Sequence, residues 1–297
     1  MAPASHRPLA AAPSAPAAQH FCNLCRQHTH REKLYQVAGY DILRCSSCRL
    51  TFVPLSPPLA ETVAGVYSEE YFEGGREDGY TDYSSSESVL RHQAQRTLKR
   101  LRRYQSSGPL LELGCAYGFF LLEARKYFEC SGIELSAFAA AQARKRGLDV
   151  RAGDFQQLEF PASHYSAVCL FDCIEHLADP FSYLGKIHSV LRPGGVMALT
   201  TGDIGSLYAR ISGRRWRLMT PPQHLFYFSR RTLTAMLERT GFEVVECTYP
   251  WKLVPLGLIL YQISPRLKAA LEPIARLPIG FYVNLFDAMF ILARKPL

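Results

Sequence analysis

No stretch of this sequence is long and apolar enough to span a bilayer. The longest apolar run, 253–263, falls short of the roughly 20 residues a spanning helix needs and is broken by Pro255 and Gly257. The opening segment does not read as a secretory signal, which would need an uninterrupted apolar stretch, because Pro3, Pro8, Pro13 and Pro16 break it. The first twenty residues hold eight Ala and four Pro with no acidic side chain. They read as a disordered tail over 1–20, with a transit peptide as the alternative. Acidic residues are in deficit, 26 against 34 Lys and Arg, and the net charge of +8 suits either an anionic partner or ordinary solubility. No internal repeat is apparent. With 297 residues and 48% hydrophobic types, the chain can bury one sizeable core and a small appended module.

Nine cysteines fall into two populations. Cys115, Cys130, Cys169, Cys173 and Cys247 sit singly in apolar surroundings, which argues for a reducing compartment and a cytoplasmic protein. The pairs Cys22-x-x-Cys25 and Cys45-x-x-Cys48, nineteen residues apart, match two knuckles presenting four thiolates to one tetrahedral ion. Zinc suits four soft sulfurs with no open position, so the site is expected to be structural, with iron or a redox pair as alternatives. A ribbon over 21–53 is too small for its own core, and the metal is expected to supply its folding energy.

A connecting, cofactor-covering region over 54–107 follows, with a helical segment from about Ser88 to Tyr104. Its Arg96, Lys99, Arg100, Arg102 and Arg103 read as a charged surface face. From Pro109 short apolar strands alternate with helices, the pattern of a parallel sheet with helical crossovers, giving an α/β domain over 108–297. Strands are expected at 110–113, 132–135, 150–152, 167–171, 196–200, 242–247 and 288–293. Helices are expected at 118–127, 137–146 and 180–191, with a further one running from an N-cap at Ser229 to Gly241. A lid occupies 203–228 and an apolar insertion 251–278.

The first of these strands runs into Gly114-Cys115-Ala116-Tyr117-Gly118 and then a helix. Glycines there let the backbone approach a ligand, and the helix start offers unpaired N–H groups. Alone, this turn is a weak signal. Glu134 ends the second strand, placed to bond both hydroxyls of a ribose, and Leu135 follows it. Asp154 closes the third, where an acid can accept from an adenine amino group while Phe155 packs on the ring. Three such features at successive strand tips point to one ligand crevice.

This combination resembles the class I S-adenosylmethionine-dependent methyltransferases, in the broad group that includes ubiquinone-pathway O-methyltransferases, over roughly residues 67–295. The ribbon is similar to those in front of several bacterial methyltransferases, including sugar methyltransferases. The resemblance implies a Rossmann-like seven-stranded sheet with helices on both faces and its last strand antiparallel. It further implies that Glu112 and Gly114 lie near the methionine portion, Glu134 at the ribose, Asp154 and Phe155 at the adenine, and Phe171 with Asp172 beside the sulfonium. Cys115, Gly118 and Leu135 belong to the same cofactor set. Ala116 stands where the family usually has Gly. Tyr71, Tyr80 and Tyr83 read either as a cover over the cofactor, as in similar enzymes, or as core.

Methyl transfer is an in-line displacement, so the protein chiefly aligns a nucleophile and handles its proton. His176, held by Glu175 or Asp172, is a candidate general base; the alternative is a loop cap that shapes the pocket. His224 faces it if the lid folds over the strand tips. Asp172, Glu175, His176 and His224 then offer a second site for a divalent ion, as in the ubiquinone-pathway relatives, or else serve separate hydrogen bonds. Arg210, Arg214, Arg215 and Arg217 around Trp216 read as a grip for a phosphate-bearing acceptor or as a solvated loop. The insertion, with Arg266, Lys268 and Arg276, reads as a membrane-surface element serving a lipid-linked acceptor, or as packing.

The leading expectation is methylation at oxygen or carbon of a small-molecule, sugar or glycan acceptor. The alternatives are an RNA methyltransferase and a non-catalytic cofactor-binding interaction protein. A ribbon with few clustered basic residues and no clear stacking platform weighs against a nucleic-acid partner.

Overall fold

The computed structural model describes residues 20–54, 72–73, 83–255 and 280–297. The tail, Tyr71, Tyr80 and the insertion beyond residue 255 lie outside the described residues.

The sheet expected from the strand pattern is present. Its strands are β6 (Pro109–Leu113), β7 (Glu129–Glu134), β8 (Asp149–Ala152), β9 (Tyr165–Phe171), β10 (Leu191–Gly202), β12 (Glu243–Thr248) and β15 (Ala288–Arg294). Their spatial order is β12-β15-β10-β9-β6-β7-β8. β15 runs antiparallel to both neighbours, while β10, β9, β6, β7 and β8 pair in parallel. The central strands are near-continuous apolar runs because helices cover both faces: Leu110, Leu111, Val168, Leu170, Met197 and Leu199 are all fully buried. The chain leaves β6 toward β7 on one side and returns to β9 on the other. This reversal opens a crevice at the carboxyl ends of the strands.

Local chemistry sets the crossovers. Gly118 begins α2 (Phe119–Ala124) at φ 78°, and a Cβ there would lie 2.2 Å from a Leu148 methyl, so only glycine fits. Ser136 caps α3 (Ala137–Lys145) and Asp179 caps α4 (Pro180–Val190), with Pro180 in the first turn. Ser229 and Thr232 form a reciprocal capping box on α6 (Arg230–Arg239). The basic segment forms α1 (Glu87–Leu101), which buries Ala94, Leu98 and Leu101.

The cysteine-framed segment is less separate than its length suggests. It contains β1 (His20–Cys22), β2 (Gln27–Thr29), β3 (Arg31–Val37), β4 (Tyr40–Cys45) and β5 (Thr51–Phe52). β5 pairs antiparallel with β11 (Phe226–Tyr227), so one four-stranded sheet, β11-β5-β4-β3, joins ribbon to lid. Leu24, Ile42, Leu50 and Val53 share a core with Leu225, Phe226 and Phe228. The expectation that metal alone folds the ribbon is therefore corrected: the ribbon also borrows apolar partners from the domain behind it. Among the described residues, no helix is long and apolar enough to cross a membrane.

Candidate functional site

The tips of β6, β7, β8 and β9 open into one cavity of about 770 Å³. Glu112, Gly114, Cys115, Glu134, Leu135, Asp154, Phe155, Phe171 and Asp172 all line it, and Tyr83 lines it from above with Phe72. Gly118 is not part of the wall; its role is the backbone turn already described. The Tyr83 ring stacks on Phe119 at 5.3 Å and meets Tyr117 edge-on at 5.0 Å, so it serves core and cavity together.

Glu134 organises the loop after β6. Its Oε2 accepts from the Ala116 N–H at 2.8 Å and its Oε1 from the Ser136 N–H at 2.9 Å. Ala116 sits at φ 46°, a left-handed conformation this carboxylate holds in place. At Gly114, φ 71°, an added Cβ would come within 3.2 Å of the Cys173 sulfur. Burial raises the Glu134 carboxyl pKa, and burial with the nearby Glu134 charge pushes Glu112 well above the usual carboxylate range. Glu112 Oε2 is buried and has no hydrogen-bond partner among the described residues. A buried orphan acceptor facing a cavity fits a ligand that brings N–H groups and positive charge, as an adenosyl sulfonium with its amino group does.

Two residues that sequence reasoning missed fix the loop after β8, which carries Asp154 and Phe155. The Tyr183 hydroxyl donates to Asp154 Oδ1, and Lys186 Nζ donates to the carbonyls of Phe155, Gln156 and Leu158 at 2.6, 2.9 and 2.6 Å. Both sit on α4, and no sequence spacing announces that α4 lies against the β8 loop. Phe155 is buried, with its ring 4.9 Å from Phe160 and 6.1 Å from Tyr183.

Beyond the cofactor-type residues the same cavity continues along α1, where Gln93, Arg96, Thr97 and Arg100 line it opposite Pro250, Trp251 and Phe290. This corrects the reading of α1 as a purely solvated basic face. Arg100 Nη1 is held by Glu246 at 3.2 Å, and the Arg96 guanidinium lies 5.0 Å over the Tyr282 ring.

His176 also lines the cavity, whereas Glu175 and His224 are not among its lining residues. The two imidazoles meet edge to face at 4.7 Å. His176 Nδ1 lies 2.8 Å from the Gln223 carbonyl and His224 Nδ1 lies 2.8 Å from the Leu218 carbonyl. Carbonyls only accept, so each Nδ1 donates to its carbonyl, and the Asp172 backbone is a further hydrogen-bond partner of the His176 ring. Desolvation, with His224 close by, pushes the His176 pKa down to about 3; burial lowers that of His224 as well. Glu175, His176 and His224 each offer a ligand atom within 4.8 Å of the others. Asp172, expected as a fourth member, is outside that group: it is exposed on the cavity side, where Oδ1 accepts from the Thr200 hydroxyl at 2.9 Å.

In the lid, Trp216 and Arg217 do not join the exposed grip expected for a phosphate-bearing acceptor. The indole is buried and its Nε1–H donates to Asp287 Oδ2 at 2.8 Å. Arg217 is spent on the same carboxylate through Nε and Nη2 at 3.0 and 2.9 Å. Only Arg210, Arg214 and Arg215 remain exposed in this patch.

The four-cysteine group is assembled. Cys22 and Cys48 sulfurs are 3.5 Å apart, Cys25 and Cys45 sulfurs 3.9 Å, and all four lie within 4.8 Å of one another. A tetrahedral edge for zinc bound at its usual sulfur distance is ~3.8 Å, so the cluster is compatible with that ion. Cys22 is pulled down to about 5 by the Cys48 thiol, while burial pushes Cys25 up to about 11. Four thiolates at this spacing need a cation to coexist.

A methyltransferase domain family matches residues 87–247, more than half of the chain. A Mycolicibacterium smegmatis protein named "Probable S-adenosylmethionine-dependent methyltransferase" is 30% identical over 151 residues, 49% of this chain and 56% of that protein, so the chain spans just over half of that relative's length. A ubiquinone biosynthesis O-methyltransferase of Ruegeria pomeroyi is 23% identical over 180 residues, 54% of this chain and 73% of that protein. Among solved structures, a complex of the Haloferax volcanii Trm112 methyltransferase activator with a methyltransferase is similar, with a TM-score of 0.54 at 18% identity, covering 72% of this chain and 92% of that one. An S-adenosylmethionine-dependent methyltransferase of Thermotoga maritima gives 0.51 at 20% identity, covering 72% and 94%. At these identities the structures establish the fold. With the strand-tip cavity and the domain match together, the chain belongs to the methyltransferase domain family.

Proposed function

We propose that this enzyme methylates a hydroxyl or an enolised carbon of a small-molecule, sugar or lipid-linked glycan acceptor bound in the α1 arm of the cavity. The observation that carries this reading is the continuity of one cavity, from Glu112, Glu134 and Asp154 at the strand tips to Arg96, Thr97 and Trp251. At about 770 Å³ it is in the range of pockets that enclose small ligands. In this reading Glu112 and Gly114 hold the methionine portion of the cofactor, Glu134 the ribose, and Asp154 with Phe155 the adenine. The bound cofactor supplies a methyl group on a cationic sulfur. Phe171 and Asp172 flank that group, and Tyr83 covers it.

His176 is the imidazole on the cavity wall, and it would take up the proton of an acceptor hydroxyl as that oxygen is methylated. Glu175 and His224 position it. In place of that base, the three together would suit a divalent ion, which would polarise an acceptor oxygen while His176 served as its ligand, with Asp172 outside that set. Zinc in the cysteine quartet is structural in this account. Arg96 supplies the cation for a phosphate or carboxylate on the acceptor, a role that Arg217, already paired with Asp287, cannot fill. Leu207 and Ile211, 72% and 77% exposed beside Arg210 and Arg214, support an acceptor met at a membrane surface.

The test supplies labelled methyl donor and purified protein to separate pools of nucleotide sugars, lipid-linked glycans and stable RNA. Label in either glycan pool is expected. Label confined to RNA, or in none of the pools, overturns the reading.

A further inference from the structure

Both histidine-bearing loops are gripped by the same small unit. Asn23, inside the first cysteine knuckle, donates from Nδ2 to Asp179 Oδ1 at 2.7 Å and accepts on Oδ1 from the Phe181 N–H at 3.1 Å. Arg26, directly after the knuckle, reaches both Asp179 oxygens at 3.3 Å, and its guanidinium lies 5.0 Å over the Phe181 ring. Asp179 and Phe181 start α4, three and five residues after His176. The knuckle is itself closed by the Arg26 N–H donating to the Cys22 carbonyl at 2.8 Å.

The second knuckle grips the other loop. The Cys45 N–H donates to the Leu50 carbonyl at 2.9 Å, which fixes the exit strand. That strand pairs Phe52 with Phe226 and Thr51 with Tyr227, and the Val53 N–H donates to the Leu225 carbonyl at 2.8 Å. Leu225 follows His224, and its own N–H donates to the Glu175 carbonyl at 2.9 Å, beside His176. The ribbon thus holds the His176 loop with one knuckle and the His224 loop with the other.

We propose that the four-cysteine unit is a clamp that sets the His176–His224 distance, with Asn23 and Val53 as positioning residues. Its functional meaning rests on the role given to the histidine pair above, but the clamp itself is a statement about geometry. None of the gripping contacts is made to Glu112, Glu134 or Asp154 directly, and Asp154 is reached only through Tyr183 on α4, so cofactor affinity is expected to change far less than the histidine geometry.

The test uses the full chain with labelled histidine in three variants, Asn23→Ala, Val53→Pro and the double variant, reading the inter-ring nuclear Overhauser effect between His176 and His224. Calorimetry with S-adenosylhomocysteine is the companion measurement. Val53→Pro removes one N–H donor at the end of a two-residue strand, and the single variants cover the case in which the double one does not fold. The expected result is an inter-ring signal weakened several-fold in each single variant and lost in the double, with cofactor-product affinity within twofold of wild type. An unchanged inter-ring signal overturns the clamp. Joint loss of the signal and of cofactor-product binding in the single variants also overturns it, because the ribbon would then hold the whole domain. Loss of the signal with undiminished methyl transfer to a labelled pool supports the clamp and removes the histidine pair from acceptor chemistry, which separates the two claims.

Discussion

The rings of His176 and His224 meet edge to face at 4.7 Å, each tethered by its Nδ1 to a backbone carbonyl, at Gln223 and Leu218 respectively. This brings the two imidazoles into one cluster with a carboxylate, Glu175. His176 is the member on the cavity wall. His176→Gln is therefore expected to slow methyl transfer by about 10²- to 10⁴-fold, the usual contribution of a positioned proton acceptor. Titration with S-adenosylhomocysteine should give an affinity within twofold of wild type, since the contacts proposed for Glu112, Glu134 and Asp154 come from other strands. A variant that turns over at the wild-type rate would leave His176 as a loop cap.

Glu134 has two duties in one carboxylate: it holds the Ala116 and Ser136 amides, and it faces the cavity. Glu134→Ala releases a left-handed alanine and removes a charged acceptor from the ribose position. Hydrogen bonds to charged groups contribute roughly 1.5 to 3 kcal/mol each, so cofactor affinity measured by calorimetry should fall by at least tenfold. Retention of full affinity would place the ribose elsewhere.

The sequence carried the sheet because its evidence is local. Apolar runs such as 110–113 and 167–171, Gly118 at a strand-to-helix turn, and Ser229 at a helix start each act within a few residues, and each is found where expected. The misreadings concern contacts between distant elements. Trp216 and Arg217 look like a surface patch until β15 brings Asp287 beneath them. Arg96 and Arg100 look solvated until Pro250 and Trp251 close the other side of the cavity. Tyr183 and Lys186 acquire their partners only when α4 lies beside the β8 loop. The cysteine spacing announces a knuckle pair, but the pairing of β5 with β11 has no signature in a two-residue strand.

Asp287 is buried and accepts three hydrogen bonds from Trp216 and Arg217, tying the lid to the last strand of the sheet. Asp287→Ala strands a largely enclosed guanidinium and an indole N–H. Breaking a fully buried pair costs about 3 to 5 kcal/mol, and the partial exposure of Arg217 brings the expectation to about 2 to 3 kcal/mol, read by urea unfolding. A loss below about 0.5 kcal/mol would show that the lid is anchored by its apolar contacts alone.

Stability should also report on Glu123. Burial alone would raise this carboxyl, but Lys126, Arg91 and Gln95 outweigh it and hold the pKa at about 2. A depressed acid stabilises the fold fully above its unfolded pKa, and that contribution disappears as pH falls through the folded value. The window therefore runs from about pH 4.5 down to about pH 2. Because Arg91 and Lys126 are 38% and 51% exposed, water screens the pairs, and about 1 to 2 kcal/mol is expected rather than the full amount the shift implies. Glu123→Gln should unfold at lower urea than wild type at pH 7 and converge with it toward pH 2. Equal separation of the two proteins at both ends would mean that packing, not charge, sets the difference.

Metal content separates two sites of different character. The cysteine quartet supplies four soft sulfurs with no open position, whereas Glu175, His176 and His224 supply one oxygen and two nitrogens and leave at least one position open on a four-coordinate ion. Protein purified with zinc present should carry one tightly held ion per chain, lost in Cys22→Ser. A second, divalent ion should be exchangeable by mild chelation. His224→Ala should abolish the second ion while leaving the first in place, because its ring is not a ligand of the quartet. Elemental analysis of wild type, Cys22→Ser and His224→Ala side by side reads both sites. One ion per chain in wild type and in His224→Ala alike, at millimolar divalent metal, would reduce the histidine pair to an imidazole base and its positioning neighbour.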